Sequence, residues 1–252
     1  MKSFIASYRN ECSKLIARKK YIVFLCIGLG ICLIWAGLGQ LISGFARQQG
    51  GISLNLLPTP MGALPFFLQI LIPFLMFMGV TDLITVEGTD NTMKAMVFRP
   101  VERWKLYFSK ITAVVTYAAA YLVSVFAVCA VLNQIFGRPL GVSELLIALA
   151  SYAMTLVPLA ILASFAALIA LMGKSGTLTM FLLLLAYLLL SVLPLFFPVL
   201  TEMLFTSYLN WYRLWIGAMP GLPKLVHMLV VMLGSGVVFL TAGSLVYDRK
   251  GY

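Results

Sequence analysis

The chain has 252 residues, of which 62% are apolar and only 10% are charged, against roughly 25% charged residues in an ordinary soluble domain. With a mean hydropathy of +1.02, this composition excludes a soluble globular domain, and it also excludes disordered, collagen-like and disulfide-scaffold proteins. The net charge of +10 would indicate a nucleic-acid partner in a soluble protein, but the placement of the basic residues explains it without one. Counted in membrane spans of about 20 residues, the length accommodates about six spans.

Residues 1–20 are predicted to form an amphipathic helix that lies in the membrane interface. They carry six basic side chains, and the residues of one helical face are Phe4, Ile5, Tyr8, Cys12, Leu15 and Ile16. A signal peptide is the competing interpretation. The apolar run that follows is too long for a signal sequence and no convincing cleavage site is present, so we expect an uncleaved segment.

Six apolar segments are long enough to cross a membrane as helices. The predicted spans are residues 21–42, 63–86, 111–135, 145–172, 177–197 and 225–246. In the first span, Gly28, Cys32 and Ala36 recur every four residues and form a stripe of small side chains, which would let another helix approach closely. Pro158 is predicted to break the fourth span. The fold class is therefore all-α, a polytopic membrane protein with six transmembrane helices.

The segment between the fifth and sixth spans, residues 200–224, is neither clearly spanning nor clearly soluble. Trp211, Tyr212 and Trp215 are typical of the membrane interface. We expect short re-entrant or interfacial helices here, broken at Pro220-Gly221 and at Pro223.

The basic residues predict the orientation of the spans. With the N-terminus in the cytoplasm, fourteen lysines and arginines lie on the cytoplasmic side, and four lie on the other side, namely Arg47, Arg138, Arg213 and Lys224. Such an asymmetry follows the positive-inside rule. It predicts that both termini are cytoplasmic, and it accounts for the net positive charge with no nucleic acid as partner.

Signatures of catalysis are missing from the sequence. The single histidine, His227, has no metal-binding motif around it, and the sequence contains no G-x-S-x-G elbow. Gly173-Lys174-Ser175 resembles the end of a phosphate-binding loop, but Leu168 stands where that loop needs its first glycine. The four cysteines show no metal or disulfide spacing. We therefore expect a protein that is not an enzyme and binds no cofactor or metal.

Two polar features remain as candidate functional sites. Asp82 lies near the end of the second span, and ionisable residues within a membrane commonly mark a transport pathway. Residues 87–110 are the most polar stretch of the chain. Within it, Gly88 permits a turn, Thr89, Asp90 or Asn91 is suited to capping a helix, and Pro100 is suited to opening the next helix. A short helix with an apolar face is predicted between spans two and three. The segment is either an ordinary basic loop or a helix that docks into a groove of a cytoplasmic partner.

This stretch resembles the coupling region of type-2 ATP-binding-cassette (ABC) exporter permeases. The motif residues are Glu87, Gly88-Thr89, Met96-Val97, Pro100-Val101-Glu102-Arg103 and Lys110. Many relatives carry serine at the position of Glu102, so the local charge is unusual here. The wider layout is also similar: an amphipathic N-terminal helix, six spans, a coupling helix between spans two and three, and re-entrant helices before span six.

The resemblance implies a permease subunit that works with a cytoplasmic ABC ATPase, which holds the ATP, and with a second permease subunit in a homodimer or heterodimer. Met93, Met96 and Val97 would fill a groove of the ATPase, while Glu87 and Arg103 would hold the coupling helix against the spans. The implied location is the bacterial plasma membrane, with lipid around the spans.

The compact layout resembles antibiotic-peptide immunity and multidrug efflux permeases. It implies export of a hydrophobic or amphipathic compound by alternating access. The alternatives left open are export of sodium or another small solute, and a non-transporting scaffold or sensor subunit.

Overall fold

The computed structural model describes residues 2–48, 57–89, 102–137, 139–215 and 221–249. Within these ranges the chain is helical and contains no strand. Six helices are long and apolar enough to cross a membrane, which confirms the predicted class and number of spans. They are Lys19–Phe45, Pro60–Thr89, Arg103–Phe136, Val142–Met172, Gly176–Phe196 and Leu222–Arg249.

We number the helices in chain order and treat the second span as one helix. They are α1 (Lys2–Ala17), α2 (Lys19–Gln48), α3 (Pro60–Thr89), α4 (Arg103–Phe136), α5 (Val142–Met154), α6 (Leu156–Met172), α7 (Gly176–Phe196) and α8 (Leu222–Arg249). Helix α3 includes two π-helical turns, Phe67–Leu71 and Thr81–Val86. Between α7 and α8 the chain forms 3₁₀ helices, Pro198–Glu202 and Phe205–Trp215; we call the latter the outer 3₁₀ segment.

Of two breaks predicted at prolines, the one at Pro158 is confirmed and the one at Pro223 is not. The fourth span is interrupted at Thr155, where α5 meets α6, and Pro158 lies in the first turn of α6. Pro223 is the second residue of α8 and does not break a helix. Pro223 is tolerated in the first turn of α8 because the first N–H groups of a helix have no partner within that helix. Pro220 lies outside the described residues.

Helix α4 packs against α1, α2, α3, α6 and α8. The small-residue stripe of α2 faces it: Cys32 Sγ lies 3.7 Å from Cys129 Sγ, and Ala36 is buried. A Cβ added to Gly28 would lie only 1.7 Å from Tyr121 Oη, so a glycine is required at this crossing. The predicted close approach of a second helix to this stripe is therefore what the structure shows.

Prolines inside the spans leave backbone carbonyls without a helical donor, and side chains of other segments supply one. A proline lacks the N–H that would bond the carbonyl four residues earlier, and Pro73, Pro158 and Pro194 thereby free the carbonyls of Gln69, Met154 and Leu190. The donors are Tyr187 Oη to Gln69 at 2.9 Å, Trp211 Nε1 to Met154 at 2.7 Å and Thr206 Oγ1 to Leu190 at 3.1 Å. Two of these three bonds dock the outer 3₁₀ segment onto the bundle.

Candidate functional site

Four charged side chains from three helices meet at one end of the bundle. Helix α1 contributes Glu11 and Lys14, the end of α3 contributes Glu87, and the first turns of α4 contribute Lys110. Lys14 Nζ lies 2.9 Å from Glu11 and 2.8 Å from Glu87, while Lys110 Nζ lies 3.3 Å from Glu11 and 2.5 Å from Glu87. Each ammonium thus bridges both carboxylates. We call this arrangement the four-charge cluster.

The four-charge cluster is buried and carries no net charge. The side chains of Lys110 and Glu11 are each 1% exposed and that of Glu87 is 8% exposed, while Lys14 is 26% exposed and reaches solvent. Burying charges costs several kcal/mol per ion, and good geometry with opposite charges offsets that cost. The cluster therefore joins α1, α3 and α4 only while all four charges are present.

The sequence of α1 explains why this helix docks on α4. Glu11 is the single acidic residue among the first twenty, and it shares a helical face with Ser7, Tyr8 and Leu15. Ser7 bonds Ser109 at 2.9 Å and the Tyr8 hydroxyl donates to Thr116 at 2.9 Å. Of the predicted apolar face, Tyr8 thus bonds α4 and Leu15 is buried, whereas Ile5 and Ile16 stay exposed. Glu11 and Lys14 were missed as site residues, although an isolated acid on the apolar face of a basic helix is a readable signal.

Lys110 changes where the third span begins. Helix α4 starts at Arg103, eight residues before the predicted start of the span at residue 111. A lysine would ordinarily mark the edge of an apolar segment, but Lys110 is neutralised by Glu11 and Glu87 and packs inside the bundle. The motif that carries the resemblance already included Lys110, but it did not identify the acidic side chains that pair with this lysine.

A second ionic site lies one helical turn deeper. Asp82, in the second π-helical turn of α3, is 5% exposed. Its Oδ2 atom accepts from the Tyr21 hydroxyl at 2.6 Å and pairs with Arg18 at 2.8 Å and Lys20 at 2.5 Å. These donors come from the junction of α1 and α2. The geometry makes Asp82 a link between that junction and α3.

Both flanks of the predicted coupling segment are anchored to the bundle. On the first flank, Glu87 belongs to the four-charge cluster, Gly88 follows it, and Thr89 Oγ1 bonds the Val86 carbonyl at 2.9 Å. On the second flank, Arg103 donates to the Asp248 carbonyl at 2.9 Å, in the last turn of α8. An arginine there also complements the negative end of the helix dipole. The remaining predicted coupling residues, Met93, Met96, Val97 and Pro100, lie outside the described residues.

The negative charge of Glu102, a residue unusual at this position of the motif, is balanced by neighbouring side chains. It lies directly before α4, pairs with Lys105 at 2.9 Å and accepts from the Trp104 indole N–H at 2.6 Å. The hydrogen bond from Lys105, followed by that from Trp104, holds the pKa of this exposed carboxyl below its ordinary value. The extra negative charge therefore has its own counterion.

The other polar candidates do not form a reactive group in the part of the chain that the structure describes. His227 is exposed, with Nε2 3.1 Å from the Glu202 carbonyl, and Lys174 lies in an exposed turn. No group of three or more histidine, cysteine or acidic side chains is placed to hold a metal ion within the described ranges. A bundle of six apolar helices with buried ion pairs at one end is the arrangement of a multi-pass membrane protein.

The family comparison agrees with this class. A family model described as ABC-2 family transporter protein matches residues 9–189. The chain belongs to this family, whose members are membrane permease subunits of ABC transporters that generally work with a cytoplasmic ABC ATPase. The match includes all four residues of the four-charge cluster and the whole predicted coupling region. A search of curated proteins found no match.

Proposed function

We propose that this chain is the membrane-spanning subunit of an ATP-driven exporter of a hydrophobic or amphipathic compound, such as an antimicrobial peptide or drug. A separate ATPase subunit would bind the ATP, and a second permease subunit, identical or similar, would complete the pathway. Family membership supports the permease role. Spans with few charges support an apolar cargo, since buried charges would favour ionic substrates.

The double anchorage of the coupling segment is the observation that carries the proposal. Its first flank is tied to α1 and α4 by ion pairs, and its second flank is tied to α8 by Arg103. When the ATPase closes on ATP, residues 90–101 would be pushed, and the anchors would pass the displacement to three helices together. Rigid, buried contacts transmit displacement better than a solvated loop does, because packed cores deform little.

The orientation belongs to the same proposal. The four-charge cluster, Arg103 and the last turn of α8 share one end of the bundle, and we place that end in the cytoplasm of a bacterial cell with both termini there. The excess of basic residues at this end supports the assignment. Labelling intact cells with a membrane-impermeant maleimide tests it: Thr89→Cys should stay unlabelled and Val142→Cys should react. The opposite pattern would reverse the orientation.

A gentle-detergent pull-down from native cells, assayed for ATP hydrolysis, tests the permease role. We expect an ATPase to co-purify with the natural chain and to be lost when Met93, Met96 and Val97 are changed to aspartate. As a matched control, Val142, Leu195 and Val199 are exposed at the opposite end, and their change to aspartate should retain the ATPase. Recovery of the chain alone, under conditions that preserve other ATPase complexes, would favour the scaffold or sensor alternative.

A further inference from the structure

A polar cavity lies at the end of the bundle opposite the four-charge cluster. Its volume is about 440 Å³, and it is a half-open cleft lined by residues of α3, α7 and the 3₁₀ helices that follow α7. Seven of the ten described residues that line it have hydroxyl or amide side chains, and none of the ten carries a charge. A cavity of this size is within the range of small-molecule sites. Such a polar lining is costly next to hydrocarbon unless it has a partner.

Two oxygen atoms of this lining have no hydrogen-bond partner among the described residues. Ser207 Oγ and Asn210 Oδ1 are both buried atoms without a donor or acceptor in reach. The neighbouring residues Tyr187 and Thr206 differ, because their hydroxyls donate hydrogen bonds to the proline-freed carbonyls of Gln69 and Leu190. Ser207 and Asn210 therefore keep unused hydrogen-bonding capacity in the wall of the cavity, which also includes the exposed polar side chains of Gln69, Ser191 and Thr201. An amide oxygen accepts only, so Asn210 calls for a donor.

Backbone irregularities from three segments converge on this cavity. The first π-helical turn of α3 supplies Gln69, and Pro194 interrupts the hydrogen bonding of α7. Asn210 itself has φ −92° and ψ 21°, at the kink inside the outer 3₁₀ segment. Turns of π-helix occur frequently at functional sites, and irregular backbone at membrane depth is found where it lines a cavity. Residues of all three irregular segments line the cavity.

We propose that this cavity binds an uncharged, hydrogen-bond-donating part of the exported compound, a hydroxyl- or amide-bearing group; this inference rests on the proposed function. A charged group would find no counterion among the residues that line the cavity. An apolar group would leave Ser207 and Asn210 unsatisfied. The apolar remainder of the compound would lie against the exposed apolar side chains beside the cavity, such as Ile70.

Cysteine accessibility in the full chain, reconstituted in lipid nanodiscs, tests the inference. Ser191→Cys places a thiol in the cavity wall and leaves Ser207 and Asn210 intact, while Leu189→Cys is the control on the opposite face of α7. Peptide mass mapping reads each site separately from the native cysteines. Normalised to the control, the uncharged hydroxyethyl methanethiosulfonate should label Ser191→Cys at least about tenfold faster than its trimethylammonium or sulfonate analogues.

Octyl glucoside, below its micellar concentration, is the probe for occupancy. It should slow labelling of Ser191→Cys at least about threefold, whereas octyltrimethylammonium should not, and Asn210→Leu should abolish the protection. Equal labelling by charged and uncharged reagents, or no protection by the glucoside, would overturn the inference. Because labelling needs neither ATP nor an ATPase, failure of the cavity inference can be distinguished from failure of the exporter proposal. Protection without a co-purifying ATPase refutes the exporter role alone, and a co-purifying ATPase without protection refutes this site alone.

Discussion

Changing Glu87 to glutamine should strongly destabilise the protein. The substitution preserves the size of the side chain but leaves the four-charge cluster with two ammonium groups and one carboxylate. Lys110, with a side chain only 1% exposed, would lose its shorter ion pair and keep only Glu11 at 3.3 Å, a carboxylate that it would share with Lys14. Removing one partner of a buried ion pair costs about 3–5 kcal/mol, because the remaining charge is uncompensated. For a chain of this size, such a loss corresponds to a fall in melting temperature of about 6–20 °C.

The assay is thermal unfolding of the purified chain in detergent, with Glu102→Gln as the matched control. The Glu102 side chain is 59% exposed and pairs with Lys105 at the surface, so the same chemical change should leave the melting temperature within error. The double variant Glu87→Gln/Lys14→Gln restores neutrality and should recover part of the loss. A melting temperature for Glu87→Gln within about 2 °C of the natural chain would show that the cluster does not hold α3 to α4 as argued.

Three further predictions concern packing, proline-freed carbonyls and pH. Gly28→Ala should cost about 1–3 kcal/mol by overpacking against Tyr121, while Gly30→Ala, with open space around it, should be neutral or stabilising. Equal melting temperatures for the two variants would contradict the close crossing. Trp211→Phe should cost about 1–3 kcal/mol by leaving the Met154 carbonyl unsatisfied. This loss should shrink in a Pro158→Ala background, because the alanine N–H can bond the Met154 carbonyl instead. If the two substitutions have additive effects in a double-mutant cycle, Trp211 does not serve the carbonyl that Pro158 frees. In carbon-13 NMR, the Glu102 carboxyl should titrate below the ordinary glutamate pKa of about 4.3. Its bonds to Lys105 and Trp104 should therefore persist above that lowered pKa and be lost as the pH falls through it, and Lys105→Gln should move the titration upward.

The spans and their number could be predicted because hydrophobic length is a local property of the chain. The small-residue stripe of α2 was readable for the same reason, since Gly28, Cys32 and Ala36 are spaced on one helical face. Glu87 and Arg103 entered through the motif, and both flank the predicted coupling segment in the structure. The third and sixth spans were predicted to begin at residues 111 and 225, later than Arg103 and Leu222, because lysine and proline end a local apolar pattern without necessarily ending a helix. The helix that leads into the third span was expected to open at Pro100.

What the sequence could not supply is the identity of partners across the fold. Lys110 and Glu11 are 99 residues apart, and no local pattern joins them. The donors to the proline-freed carbonyls raise the same difficulty. A proline in a span predicts an unsatisfied carbonyl, but Trp211 reaches Met154 across 57 residues. Such pairings depend on how the helices pack, which is set by many weak contacts together.

The anchoring contacts bear on how a displacement could cross the bundle. Glu87 and Arg103 hold the two ends of one segment but reach different helices: Glu87 reaches α1 and α4, and Arg103 reaches α8. Pushing that segment would therefore load α1, α4 and α8 together. Helix α2 would follow through Asp82, which ties the α1–α2 junction to α3. The outer 3₁₀ segment is held by hydrogen bonds to proline-freed carbonyls, and each of those bonds is weaker than a buried ion pair. Under load from the charged end, the contacts expected to yield first are those around the polar cavity.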